Sequence, residues 1–68
     1  MMKRFAVSYI DWFDHDLTTV IVYAHDWAEA LRMHPKVKAF EIEYTDLKDV
    51  KNQFFDCDAM IECVEIVI

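Results

Sequence analysis

The chain has 68 residues, 7 Lys and Arg against 13 Asp and Glu, a net charge of −6, and 56 % hydrophobic residues. That length holds one small domain, residues 1–68, and the apolar and aromatic content excludes a disordered acidic tail. The chain has no glycine. This excludes the GxGxxG and GxxxxGKS/T phosphate loops, and the acidic balance argues against direct contact with a nucleic-acid backbone.

A chain this short hides a modest fraction of its surface, so burial and ordering entropy nearly cancel. A metal, disulfides or self-association are the usual further sources of stability. Cys57 and Cys63 are too few for a secreted disulfide scaffold. At a separation of six, in a strand, they stand too far apart to bridge. They read as free, partly buried thiols in a reducing compartment. No apolar h-region follows Met1, Met2, Lys3 and Arg4, and no run approaches a membrane span. The expected location is cytoplasmic, with no membrane partner.

Residues 3–12 alternate, with Phe5, Val7 and Tyr9 on one face and Ala6, Ser8, Ile10 and Trp12 on the other. Residues 13–16 form the expected turn, in which Asp side chains must do what glycine does elsewhere. Residues 17–24 are rich in β-branched side chains and complete a hairpin. Asp26 and Glu29 have capping-box spacing. Trp27, Ala30, Leu31 and His34 then share one helical face, and Pro35 is expected to end that helix.

Residues 36–44 read either as a short edge strand, with Phe40, Ile42 and Tyr44 alternating against Glu41 and Glu43, or as an ordered loop. Thr45 or Asp46 can cap a second helix whose apolar face is Leu47, Val50, Phe54 and Phe55. Residues 56–58 break it, and residues 59–68 form a last, apolar strand. The expected fold is α+β: a two-layer sandwich of order ββα(β)αβ, with a mainly antiparallel sheet and two short helices on one face.

A sheet covered on one side should alternate apolar and polar. These strands do so poorly. Leu17, Ile21 and Tyr23 oppose Val20, Val22 and Ala24; Ile61, Cys63 and Val67 oppose Met60, Val64, Ile66 and Ile68. Two short helices cover one such face and leave the other in need of a partner, unless residues 36–45 fold over it. Val20, Val22, Val64, Ile66 and Ile68 are the expected oligomer seam. Glu62 and Glu65, at odd spacing, point to opposite sides, which an edge position for the last strand would allow. At the hairpin tip, Trp12, Phe13, Asp14 and Asp16 are the candidate protein-binding residues: aromatic anchors ringed by carboxylates. The alternative is that both aromatics pack under the turn.

Catalytic and cofactor signatures are sparse. His15, His25 and His34 lie ten and nine apart, and the cysteines six apart, against the closer pairs of structural zinc sites. Asp11, Asp14 and Asp16 lack the glycine and distal Glu of a calcium loop. Cys57 sits between Asp56 and Asp58, whose charge disfavours a thiolate. The expectation is no enzyme, no cofactor and no metal.

Lys3-Arg4-Phe5, the hairpin, and Tyr23-Ala24-His25-Asp26-Trp27-Ala28-Glu29-Ala30-Leu31 resemble the first half of the small RNA-polymerase inhibitor of short-tailed coliphages. That family carries Y-A-x-x-apolar-x-E-A-L at the same strand-to-helix junction. The resemblance covers residues 3–31. The family's inhibitory arginines lie in its last strand, whereas residues 60–66 here hold no basic side chain, and residues 36–58 have no counterpart. The polymerase target therefore does not transfer. The resemblance implies the class: a compact acidic phage or mobile-element protein that inhibits or modulates a bacterial host protein by binding it, in the host cytoplasm. Combined with the two apolar faces, the expectation is a non-enzymatic, homo-oligomeric protein-binding module. Two alternatives stay open: an acidic nucleic-acid-mimicking inhibitor, and an oligomer that sequesters a small molecule in its seam.

Overall fold

A computed structural model describes residues 2–38, 40, 43 and 45–67. The elements in chain order are β1 (Lys3–Asp11), β2 (Thr18–Ala24), α1 (Trp27–Arg32), α2 (Pro35–Lys38), α3 (Leu47–Asp56) and β3 (Ala59–Glu65). The strands form one antiparallel sheet in the order β2-β1-β3, with β1 in the middle. The fold is α+β, as expected from the pattern of apolar residues, and the helices pack on one face.

The alternation in β1 decides which face that is. Phe5, Val7 and Tyr9 are buried, and their partners across the ladders are Val22, Val20 and Thr18 on β2 and Cys63 and Ile61 on β3. Ala30 and Leu31 of α1, Val37 of α2, and Val50 and Phe54 of α3 close over them. Asp26 and Asp46 cap α1 and α3, each accepting from the backbone N–H three residues on, at 2.8 and 2.9 Å. Glu29 does not complete the capping box. Its carboxylate turns to His25 Nδ1, 3.1 Å away.

Pro35 does not simply stop a helix. It opens the four-residue α2, where a missing N–H costs nothing because first-turn N–H groups lack intrahelical acceptors. An edge strand over residues 36–44 is absent among the described residues. Val37 is buried, and Phe40 lies 4.6 Å from Phe54 between ring centroids. The described part of this segment thus covers the helical side of the sheet, while Glu41, Ile42 and Tyr44 fall outside the described residues. In α3, Phe54 is buried but Phe55 faces outward, because adjacent helical positions diverge by about 100°.

His34 is fully buried between α1 and α2. Its Nε2 donates to the Thr18 carbonyl at 3.2 Å, and its Nδ1 accepts from the Lys36 N–H at 3.2 Å. A carbonyl can only accept and an amide N–H can only donate, so these partners assign the neutral Nε2–H tautomer. The imidazole ties the start of β2 to the helical layer.

Candidate functional site

The sheet face opposite the helices is uncovered. Cross-strand register arranges it in rows running from β2 through β1 to β3: Tyr23, Arg4 and Ile66; Ile21, Ala6 and Val64; Thr19, Ser8 and Glu62. Ile10 and Met60 form a fourth row, and Leu17 borders it. Leu17, Ile21, Tyr23, Met60 and Val64 are each more than half exposed. Together they present roughly 500 Å² of apolar surface, in the size range that marks interaction sites on soluble proteins. The Thr19–Ser8 rung is neutral, its hydroxyls sharing a 3.0 Å hydrogen bond, and Arg4 is the one cation in these rows.

Glu62 is the one carboxylate in these rows. β3 is an edge strand, and Lys51 of α3 reaches Glu62 Oε1 at 2.7 Å. That hydrogen bond holds the carboxyl below its usual range, against the desolvation that opposes ionisation. Glu65, on the other side of the strand, faces Lys3 at 3.6 Å. The edge position expected for these two acids is what the sheet order provides.

The expected seam is corrected by this geometry. Val20 and Val22 lie on the helix-covered face and pack against the core, whereas Val64 and Ile66 lie on the open one. Ile68 falls outside the described residues. The open surface is built instead around Leu17, Ile21, Tyr23, Met60 and Val64. Strand parity had separated these two sets, but parity alone does not say which set the helices cover.

The tip is also redistributed. Asp11 Oδ1 accepts from the N–H groups of Phe13 and Asp14, at 3.1 and 2.7 Å, so the turn is held by an aspartate at its entrance rather than within it. His15 and, in the α3–β3 turn, Asp58 have left-handed backbones with φ of 55° and 60°, positions glycine would take in other chains. Trp12 is half exposed and packs edge-on against Phe55, centroids 5.6 Å apart. The Trp12 backbone N–H donates to the Asp58 carbonyl at 3.0 Å. Phe13 is 81 % exposed. Asp16 turns back to Lys36, 3.8 Å away. Trp12 therefore belongs with Phe55 and Met60 at one corner of the open face, Phe13 projects alone, and the aspartates do not ring a common pocket. Phe55 reads from the sequence as part of the apolar face of its helix, and Met60, which shares a face with Val64 and Ile66, is absent from the expected seam.

The concavities on this side are about 170 Å³ beside Ile10, Leu17 and Met60, about 150 Å³ beside Trp12 and His15, about 230 Å³ between Phe55, Met60 and Glu62, and about 320 Å³ at the Arg4, Tyr23 and Ile66 end. The first three are smaller than the pockets that enclose drug-sized ligands, ~300 Å³ and above, and the fourth only reaches that size. Cys57 is exposed and Cys63 buried, and both are free. Burial pushes the Cys63 thiol up to about 11, with Glu62 adding to the shift. Among the described residues no cluster of His, Cys, Asp or Glu is placed to hold a metal ion, and no helix is long and apolar enough to cross a membrane. Compared with known proteins, the chain matches no family model, no curated protein and no solved structure.

Proposed function

We propose that this chain is a small non-enzymatic protein-binding module whose working surface is the open face of its sheet, continued around one corner by Trp12 and Phe55. The observation that carries the reading is the exposed apolar set Leu17, Ile21, Tyr23, Met60 and Val64 on a face whose one carboxylate in these rows is drawn to the sheet edge by Lys51. Surfaces of this size and composition are costly to leave in water, and a protein partner removes that cost. The likeness over residues 3–31 extends the proposal to its setting: a phage or mobile-element protein that inhibits or modulates a bacterial protein in the host cytoplasm.

Capture from bacterial lysate by the wild-type chain, Trp12→Ala and Val64→Lys tests it. The expected result is a band held by the wild type and lost with either variant, with little dependence on salt. Identical bands from all three would remove both surfaces from consideration. A band that falls away steeply with salt would instead favour the nucleic-acid-mimicking reading, since the occupied groove would then be basic.

A further inference from the structure

The open face has one feature that an apolar partner leaves unmet. Arg4 stands in the middle strand, and its Nε is buried without a hydrogen-bond partner among the described residues. Its guanidinium is the one cation in these rows, so an occupant that brings an acceptor with negative charge to it is favoured over one that is apolar throughout. Its apolar area points to the size of what brings that acceptor. Two such faces pressed together cover on the order of 1,000 Å², which is where specific protein interfaces begin. Charge points to how they meet. The face holds Arg4 toward one end and Glu62 toward the other, while Asp11, Asp14 and Asp16 gather at the tip beyond the Glu62 end.

We propose that the occupant of the open face is a second copy of this chain, stacked face to face about a two-fold axis that runs across the strands between the Ala6 and Ser8 rows. This rests on the docking-face reading above and names its partner. The other simple two-fold axis, along β1, stacks Arg4 on Arg4 and brings the acidic tips together. The axis across the strands reverses one sheet over the other. Arg4 then lies over the Ile10 row, with Ser8 and Glu62 of the second copy within side-chain reach of its guanidinium. Each acidic tip overlies the end of the other copy that carries Lys3 and Arg4. Val64 comes to face Glu62 of the second copy across the seam, and Ile21 faces Thr19. The product is an aligned sandwich with helices on both outer surfaces.

Light scattering on the full chain, across a concentration series reaching the millimolar range, tests this. The expected wild-type mass is twice the 8.1 kDa of one chain. Ile21→Lys and Val64→Glu, both at positions exposed in the single chain, should give single copies with unchanged circular dichroism, the second because it sets a carboxylate against Glu62 of the other copy. Met33→Lys, exposed on the helical side, should remain paired, and Arg4→Ala should weaken pairing about tenfold. Pairing that survives both the Ile21 and the Val64 substitution overturns the proposal. So does a wild type that stays single, and an apolar fluorescent dye then separates the two readings. Dye bound by the wild type but not by Ile21→Lys leaves the docking face standing without a second copy. Dye that ignores the face removes both.

Discussion

The two faces of the sheet are built from the same kinds of residue and meet different fates. Val7, Val20 and Cys63 lie on one face; Ala6, Ile21 and Val64 lie one residue away on the other. The first set is sealed by Ala30, Leu31, Val37, Val50 and Phe54, and the second has no cover among the described residues. A strand's sequence distinguishes the faces only by polarity, and here both are apolar. What separates them is where the chain goes after β2 and before β3, because both α1 and α3 pack on the Phe5 side. In this molecule, therefore, exposed Val64 marks the face that the helices leave open.

That contrast can be broken most directly by truncation on each side. Phe54→Ala should cost ~3–5 kcal/mol, as other large core truncations do, enough to unfold most of so small a domain. Ile21→Ala should leave the single chain within ~0.5 kcal/mol of wild type. Urea unfolding in dilute solution measures both, and equal losses would mean that the open face is covered within the chain.

His34 sharpens the same comparison from the loop side. His34→Leu strands the Thr18 carbonyl and the Lys36 N–H inside the covered layer. A loss of ~1–3 kcal/mol is expected for buried groups left without partners. Loss of protection at Lys36 in hydrogen exchange would locate it.

Cys63 reports on the covered face by titration. Its folded thiol is pushed up to about 11 from its ordinary 9.0, so the neutral form is favoured by folding. Below the unfolded value both states hold the proton and stability is unaffected. As pH rises past it, the unfolded chain ionises first, and stability should fall by on the order of 2 kcal/mol by the folded value. At neutral pH an alkylating reagent should mark Cys57 and spare Cys63, read by mass spectrometry.

The smallest effect is expected at the sheet edge. Lys51 holds the Glu62 carboxyl below its usual range, so this pair contributes above the unfolded value near 4.5 and its contribution is lost as acid protonates Glu62. Both side chains are exposed enough for solvent to screen them, so Lys51→Ala should cost no more than ~0.5 kcal/mol.

Much of the fold could be read in chain order. The hairpin, the Asp26 and Asp46 caps, the apolar stripe of α1 and the last strand all follow from periods of 2 and 3.6 and from the local chemistry of Asp. Helix α2 was hidden because Pro35 marks both the end of one helix and the start of another. Phe55 was misassigned because two adjacent phenylalanines leave the phase of a helix ambiguous by one position. Asp11 was overlooked as the turn's anchor because three aspartates compete for the role, and only backbone geometry selects one.

The sequence by itself determined that both sheet faces are apolar and that short helices can cover only one, since side-chain alternation is a property of the strand alone. Only the tertiary structure decided which face is left open, that β1 is central with β3 at the edge, and that Trp12 meets Phe55 across the turn. Those choices depend on contacts between residues far apart in the chain, whose pairing no local period encodes.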